Sequence, residues 1–325
     1  MWLRERARLL ANRHRLAVEA AARYPDVQKL AGTPLLTRPE WVPGRPVPLT
    51  DLPITSVPSS SGTPLPPGPV PDGHGSYSAA MAALDAPAVF ENRPTYRLLS
   101  ASLREPLLVF GPGTYFDGID TGEAAAHEYA AGGPTPLRDA IGDPTDLARR
   151  PVNLAISALT IRAGTRRTFF LHWRDPAKVG HAGGLYQVVP VGVFQASGPS
   201  PEDFSLWNFM LREYAEELLG EPERSAVDYP KWPFARAMTS ALRAGRIRAN
   251  CLGLGVDPLT FATDLLVSVE IDAPVFDAIF GARVAANDEG SVTEQPFTAE
   301  AIDGLPMQAA GAALVRSALD MLADG

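Results

Sequence analysis

Three glutamates, Glu213, Glu216 and Glu217, stand close together in the segment LREYAEELLG. If this segment is helical, they share one helix face, with their Cβ atoms about 5–6 Å apart. Like charges at this spacing repel, by about 0.2–0.5 kcal/mol per pair on an exposed helix. A divalent cation would remove the repulsion, since Mg²⁺ prefers oxygen ligands and takes carboxylates together with substrate phosphates and water. The alternative interpretation of the same residues is an acidic helix face that is simply solvated.

Start and stop signals predict the helix that would carry these glutamates. The sequence SPED, residues 200–203, is typical of a helix start. It combines a capping hydroxyl, a proline in the first turn and carboxylates near the positive end of the helix dipole. Apolar side chains then recur at spacings of three and four, at Leu206, Phe209, Met210, Tyr214 and Leu218. We therefore predict a helix from Ser200 to about Gly220 with one buried face.

The composition of the 325-residue chain is that of a globular protein, with 46% hydrophobic and 20% charged residues. A net charge of −8 argues against binding to nucleic acid or to an anionic membrane. The one cysteine, Cys251, excludes an internal disulfide and fits a reducing compartment, so we expect a cytoplasmic protein. No apolar run approaches the roughly 18 residues that a membrane-spanning helix needs, and no membrane partner is expected.

The first 76 residues divide into two stretches by pattern. Residues 1–32 begin with an arginine-rich helix, which we expect to dock on the rest of the protein or on a second copy. Its apolar stripe is assigned to Leu3, Ala7, Leu10, His14, Ala17 and Ala21. Residues 33–76 are dense in proline, which helices and central strands do not tolerate, so we predict an extended arm. Its apolar residues should lie along a surface: Leu35, Leu36, Trp41, Leu49, Leu52 and Ile54.

Residues 77–150 are predicted to form a small α+β subdomain. A helical pattern in SYSAAMAALDAP precedes three strand-like segments, TYRLLSASL, PLLVFG and TYFDGID. The segment DTGEAAAHEYAAGG is helical again, with Asp120 or Thr121 as the N-cap and Gly132 as the stop. We predict that this subdomain either shapes a substrate pocket or forms a dimer interface.

Residues 151–325 carry the clearest strands. VNLAISALTIR and RRTFFLHWRD are predicted as a hairpin or as neighbouring strands, and RANCLGLGVDPLTFATDLLVSVEI as two strands about a turn. Strands also fit LYQVVPVGVFQ, whereas ARAMTSALRAGRI and PMQAAGAALVRSALDMLA are helical. Strands and helices alternate without a regular βαβ repeat, so we predict the α/β (α+β) class. The five histidines show no paired spacing, which argues against zinc.

The segment REYAEELLG resembles the signature helix of Nudix hydrolases, whose pattern is G-x5-E-x7-R-E-U-x-E-E-x-G-U, with U a bulky apolar residue. Arg212, Glu213, Tyr214, Glu216 and Glu217 match in register, and Gly198 stands at the leading glycine. The preceding LYQVVPVGVF is similar to the W-x-L-P-G-G strand of the family, through Tyr186, Val189, Pro190 and Gly192. Phe204 replaces the glutamate of the pattern, Val191 replaces one loop glycine, and Gly220 falls one place late.

This resemblance, over residues 150 to 325, implies an α/β/α sandwich with a mixed sheet, here preceded by the arm and the small N-terminal region. It implies Mg²⁺ or Mn²⁺ as cofactor, with Glu216 and Glu217 as principal ligands. Glu213 would be a ligand or the general base, and Arg212 an orienting residue at the catalytic centre. Glu289, or its neighbour Asp288, would be a further ligand or base. Candidate substrate-binding residues are His172, Arg174 and Tyr186, with FFLHWR placed where a substrate edge strand would run.

The function implied by the resemblance is hydrolysis of a diphosphate linkage in a nucleoside diphosphate derivative, such as ADP-ribose, a dinucleotide or a nucleotide sugar. One alternative is a sensor that binds such a nucleotide without turning it over, which Phe204 and the long N-terminal extension favour. The intact REYAEE favours the enzyme, because a pure binding site has less need of three clustered ligands. A structural protein with an inactive domain is the third possibility. A homodimer, common in this family, is also expected.

Overall fold

The computed structural model describes residues 1–58, 64–87, 89–174, 183–281, 286–287 and 290–323. Its helices are α1 (Trp2–Ala21), α2 (Tyr77–Leu84), α3 (Tyr115–Gly118), α4 (Ala124–Ala131), α5 (Pro136–Ile141), α6 (Leu206–Leu219), α7 (Pro233–Arg243), α8 (Ala273–Ile279) and α9 (Ala309–Ala323). Its strands are β1 (Val47–Pro48), β2 (Ile54–Ser56), β3 (Pro94–Ser102), β4 (Leu107–Thr114), β5 (Leu154–Ala163), β6 (Arg167–Arg174), β7 (Tyr186–Val188), β8 (Val191–Val193), β9 (Ile247–Val256), β10 (Thr263–Asp272), β11 (Ala286–Asn287) and β12 (Gly290–Pro296). No helix in these ranges has the length and apolar character needed to cross a bilayer.

The larger sheet has the strand order β1-β9-β10-β5-β6-β12-β11. It is mixed, because β10 runs parallel to β5 and antiparallel to β9. The predicted hairpin is confirmed, but β5 pairs with β6 only near its end, over Ile161–Ala163. Towards its start, β5 pairs with β8 instead, and β7 pairs with β6. The predicted strand LYQVVPVGVFQ is therefore two short strands, and the sheet opens between β5 and β6.

Helices cover both faces of this sheet. On one face, Val267 of β10 and Phe170 of β6 belong to a core cluster with Phe209 of α6 and Met238 of α7. On the other face, Leu266 of β10 and Leu159 of β5 pack with α9. Neighbouring residues of β10 thus serve opposite cores, as the two-residue period of a strand requires. The predicted α/β class, with a mixed sheet sandwiched between helices, is confirmed.

Helix α1 is present as predicted, but most of the assigned apolar stripe is wrong. Leu3, a member of that stripe, is 51% exposed, whereas Ala21 at its other end is buried. The rest of the buried face lies one position away and comprises Trp2, Arg6, Leu9, Arg13, Leu16 and Ala20. It includes two arginines because both guanidinium groups bind the buried carboxylate of Glu123. The pattern of apolar residues alone does not identify this face, because Arg6 and Arg13 are buried through their ion pairs with Glu123.

The proline-rich stretch contains short structured segments. Pro39–Trp41 and Leu49–Asp51 form 3-10 turns, and β1 pairs with β9 at the edge of the larger sheet, where a proline is tolerated. The expected apolar contacts are confirmed, since five of the six residues are buried and Ile54 is partly buried: Leu35, Leu36, Trp41, Leu49 and Leu52. Parts of the arm therefore belong to the cores of the protein.

The region from 77 to 150 contains a small sheet and a continuous run of helical turns. β2, β4 and β3 form the sheet, as the patterns of TYRLLSASL and PLLVFG predict for its last two strands. The strand predicted at TYFDGID is wrong. Thr114 and Asp117 form a capping box that starts α3, and one π-helical turn, Ile119–Glu123, leads into α4. Gly132 ends α4 as predicted, with φ of 77°.

The predicted N-cap of α4 is also wrong. Asp120 lies inside the π-helical turn, and its carboxylate accepts hydrogen bonds from the backbone N–H and the hydroxyl of Ser78, at 2.6 and 3.0 Å. The bonds join the π-helical turn to α2, which begins at the predicted place with Ser76 as its cap. The Asp120 carboxylate therefore does not cap α4 but connects the π-helical turn to α2.

Replacement of Glu123 by Gln tests the buried charge cluster beneath α1. The change removes the carboxylate that Arg6 and Arg13 share, and although Arg6 keeps its ion pair with Asp85, the buried charge of Arg13 loses its partner, so we expect the free energy of unfolding to fall by about 3–5 kcal/mol. Glu19→Gln is the matched control, because its partner Arg15 is exposed and the pair should contribute less than about 1 kcal/mol. Urea unfolding of both variants measures the difference. Equal effects of the two changes would contradict the role given to Glu123.

Candidate active site

Helix α6 carries the three glutamates, but it starts later than predicted. The SPED segment forms a separate 3-10 turn, Pro201–Asp203, in which the Ser200 hydroxyl accepts from the Glu202 N–H. The helix proper begins at Leu206, after Ser205, whose hydroxyl accepts from the Asn208 N–H. It ends as predicted at Gly220, which adopts φ of 65°. The start signal was genuine, but it belongs to the preceding turn.

A cavity of about 1030 Å³ lies beside α6 at the opening between β5 and β6. Five glutamates from α6 and the loop after it line one wall: Glu213, Glu216, Glu217, Glu221 and Glu223. The other walls include the π-helical turn Ile119–Glu123, the segment at 150–155, the loop and strand start at 260–264, and the β7 and β8 segment, together with Arg174 and Gln308. The N-terminal region, for which two roles were open, thus contributes a wall of this cavity.

Glu213 and Glu216 are partly buried, and their surroundings disfavour the charged form. Burial raises the pKa of Glu213 well above its usual range, and the charges of Glu216 and Glu217 raise it further. Burial likewise raises the pKa of Glu216 to about 7, with Glu223 as the next contribution. The Glu213 carboxylate lies against Gly192 so closely that a Cβ at that position would overlap it. A side chain at position 192 would therefore have to displace the carboxylate of Glu213.

Glu217 is held between two strands. One of its carboxylate oxygens accepts from the Val191 N–H at 2.8 Å, and the other lies 3.5 Å from Nδ1 of His172. His172 is fully buried, so it contacts the glutamate from behind. Arg174 lines the cavity. Tyr186 lies beside the start of α9, where its carbonyl accepts from the Gln308 N–H at 2.8 Å.

Arg212 is buried and points to the loop that precedes α6. Its guanidinium donates to Asp203 at 2.8 Å, to the Tyr229 hydroxyl at 2.9 Å and to the Gln195 carbonyl at 2.6 Å. Asp203, which is fully buried, also accepts from the hydroxyl and N–H of Ser197. These bonds fix residues 195–203 against the helix. Asp203 directly precedes Phe204, the position at which the family pattern expects an acid, and this is the signal that could have identified it.

Two further residues of the cavity wall were missed by sequence reasoning. Asp264 is buried in β10, where it accepts from the Ser157 hydroxyl at 2.8 Å, and burial raises its pKa to about 6. Arg150 is buried at the approach to β5. The sequence signal for Asp264 is a carboxylate placed directly before the apolar run Leu265–Val267. Glu289 and Asp288, predicted as further ligands or bases, lie outside the described residues.

The carboxylates suit a hard divalent cation by their chemistry. Oxygen donors are what Mg²⁺ and Mn²⁺ prefer, and a cation would stabilise the charged forms of glutamates that burial and mutual repulsion disfavour. In the side-chain arrangement of the described ranges, no three His, Cys, Asp or Glu residues converge on one point as a metal would require. The chemistry of the carboxylate oxygens thus fits Mg²⁺ or Mn²⁺, whereas their positions among the described residues do not form a coordination site.

Comparison with known proteins identifies partial likenesses to solved structures. The crystal structure of Shewanella oneidensis NrtR is similar over 53% of this chain, at 16% identity and a TM-score of 0.33, and the likeness spans 64% of that chain, under two thirds of its length. A NUDIX hydrolase from Alicyclobacillus acidocaldarius is similar over 51% of this chain and 90% of its own, at 17% identity and a TM-score of 0.32. No family model matches, and no curated protein does. TM-scores of this size say nothing about function.

Replacement of Gly192 by Ala should separate the metal site from the stability of the fold. The new Cβ would displace the Glu213 carboxylate, the mobile end of a flexible side chain, so we expect little change in melting temperature. We expect Mg²⁺ affinity to fall about 10-fold or more, because a ligand or its close support has moved. Titration calorimetry with Mg²⁺ measures the loss.

Gly133→Ala is the control for that change, because a Cβ at position 133 meets nothing within 4 Å. It should leave both Mg²⁺ affinity and melting temperature unchanged. If Gly192→Ala binds Mg²⁺ like the unmodified protein, the Glu213 carboxylate is not part of a metal site.

The stability of the metal-free protein should depend on pH through Glu216. An ordinary glutamate loses its proton near pH 4.5, whereas the folded protein keeps the Glu216 proton up to about pH 7. The folded state therefore binds more protons between these values, and its stability falls as the pH rises through them. Thermal unfolding of the metal-free protein across this range should show the decline, and Mg²⁺ should stabilise most at the alkaline end.

Glu216→Gln is the matched variant for the pH experiment, because it removes the titrating group and keeps the side-chain shape. Its melting temperature should fall less steeply with pH than that of the unmodified protein. An unchanged slope would show that Glu216 does not titrate in this window.

Proposed function

We propose that this protein is a Mg²⁺- or Mn²⁺-dependent hydrolase that cleaves the diphosphate linkage of a nucleoside diphosphate derivative, of the ADP-ribose, dinucleotide or nucleotide-sugar class. The observation that carries the proposal is the common position of Glu213, Glu216 and Glu217 on one wall of the 1030 Å³ cavity. Ligand pockets span about 300–1,000 Å³, so this cavity has room for more than a mononucleotide.

The charge of the cavity supports a requirement for metal. Five glutamates line the wall formed by α6 and the following loop, and a diphosphate brought beside them would be repelled. Glu213, Glu216 and Glu217 would hold the cation. When bound, the metal would polarise the phosphoanhydride and lower the pKa of its water. A metal ion thus supports substrate binding as well as bond cleavage.

The surroundings of each residue suggest its part. Glu217 is fixed by the Val191 N–H and by His172, which suits a ligand that must not move. Glu213, whose pKa is raised by burial, can take a proton from an attacking water and serve as general base, or act as a further ligand. Arg212 positions the loop at 195–203, and Arg174 lies where it can meet a phosphate.

A nucleotide sensor without turnover is the second candidate, and Phe204 favours it. The ring occupies the position at which the family pattern has a glutamate, and it packs against Tyr96 and Phe110 of the N-terminal sheet, with ring centroids 4.9 and 5.8 Å apart. At the position where the family pattern has a glutamate, this chain has an aromatic residue that packs the N-terminal sheet beside α6. A movement of α6 on ligand binding would then be transmitted to the N-terminal sheet through Phe204.

Glutamine variants of Glu216 and Glu217 test the hydrolase. With Mg²⁺ and a panel of ADP-ribose, dinucleotides and nucleotide sugars, we expect turnover by the unmodified protein of at least one substrate. Each variant should lower kcat by about 100-fold or more, since even outer-shell changes cost 10–100-fold at metal sites. Steady-state kinetics measure the effect, and Glu202→Gln, an exposed residue before α6, is the control.

The results of this experiment separate the two candidates. Tight metal-dependent binding without turnover by the unmodified protein would favour the sensor. Turnover that survives the double change of Glu216 and Glu217 to Gln would show that the metal lies elsewhere.

A further inference from the structure

The cavity has a cationic part away from α6, formed by Arg150. This residue precedes β5 and is only 3% exposed, yet it lines the cavity. Its neighbours there include Phe261, over whose ring the guanidinium lies at 5.6 Å, and Thr263. Arg150 comes from a part of the chain outside the signature helix, and the hydrolase proposed above gives it no task.

The hydrogen-bond acceptors of the Arg150 guanidinium within the described residues are all uncharged. Its guanidinium donates to the Pro144 carbonyl at 3.2 and 3.0 Å and to the Pro151 carbonyl at 3.3 Å. The Thr263 hydroxyl accepts at 2.9 Å. These bonds use four of the five N–H groups of the guanidinium and leave one Nη1 N–H, and because the acceptors are neutral they leave the charge uncompensated.

The electrostatic surroundings leave this charge in need of an anion. Burial lowers the pKa of Arg150 to about 9, and the nearby cation of Arg97 lowers it further, although it stays charged at neutral pH. Asp143 acts in the opposite direction, but it is already paired with Arg38 at 3.2 Å. A buried cation that borders a ligand cavity is stabilised when a ligand brings the counter-charge.

We propose that Arg150 binds a second anionic group of the ligand, a phosphate monoester or a carboxylate, carried by the part of the molecule that lies beyond the diphosphate. This inference rests on the proposed function, because it places the diphosphate and its metal at Glu213, Glu216 and Glu217. Either anion can accept a charge-assisted hydrogen bond from the remaining Nη1 N–H and compensate the charge of the guanidinium. The substrate class narrows to phosphorylated dinucleotides or to nucleotides of acidic sugars.

Matched ligand pairs test the proposal. NADPH and NADH differ by one phosphate monoester, and UDP-glucuronate and UDP-glucose differ by one carboxylate. The unmodified protein with Mg²⁺ should prefer the anionic member of one pair by about 10-fold or more in kcat/KM, as expected for a charge-assisted hydrogen bond. The pair that shows the preference identifies the anion. No preference in either pair would overturn the proposal.

Variants of Arg150 tie that preference to the residue. Arg150→Met should bring the ratio within the pair close to one, and Arg150→Lys should keep part of it, because the charge remains while the bonds that orient the guanidinium are lost. Arg149→Met is the control, since the neighbouring Arg149 is also bonded to backbone carbonyls, those of Ile141 and Ala140, but is not among the described residues that line the cavity. It should leave the ratio unchanged. An equal loss on both members in Arg150→Met would make Arg150 a structural tie and overturn the proposal.

Two measurements keep this test separate from that of the hydrolase. If none of the four compounds is hydrolysed, the proposed reaction fails for them, whereas dissociation constants from calorimetry still show whether the anionic member binds more tightly. If Arg150→Met does not fold, the comparison of Arg150→Lys with the unmodified protein, by the preference for the anionic ligand of each pair, tests the proposal instead. If the ratio of anionic to neutral ligand is near one in the unmodified protein and Arg150→Lys does not change it, an anion site at Arg150 is excluded.

Discussion

Repulsion among carboxylates on one face of α6 is the constraint around which the surrounding structure is arranged. Glu213 is accommodated because residue 192 has no side chain, and Glu217 because a backbone N–H donates to it. Outside the signature helix, Glu223 adds to the negative charge, although Arg93 pairs with it at 2.5 Å. These contacts hold the carboxylates of α6 close together while burial and mutual repulsion disfavour their charged forms, which is the condition under which a cation gains most by binding.

The N-terminal region is part of the same arrangement. Its π-helical turn forms a cavity wall, and Gly122 approaches the Thr260 carbonyl so closely that no Cβ fits between them. Glu123 in that turn is held by the two buried arginines of α1. Phe204 attaches the small sheet beside α6. Helix α1 therefore supports the cavity through Glu123, although it does not itself line the described walls.

The sequence was informative wherever local chemistry decides the structure. Spacing placed the glutamates on one face, and Gly220 and Gly132 marked helix ends because few other residues adopt positive φ. It failed where distant partners decide. Arg6 and Arg13 look like surface residues until Glu123 is brought beneath them, and Asp120 looks like a helix cap until Ser78 reaches it. Arg150 and Asp264 become parts of one cavity only when the sheet has formed.

The parallel pairing of β5 with β10 has a consequence for the order of assembly. These strands pair residue for residue, Leu154 with Thr263 at one end and Ala163 with Asp272 at the other, although about a hundred positions separate them. Gly192, α6 and the loop at 195–203 all belong to the crossover between the two strands. Contacts of such long range form slowly, because a long loop must close first. During synthesis the acidic helix therefore emerges before the strand that completes its sheet, and the cavity is complete only once β10 and the segment at 260–264 have folded into place.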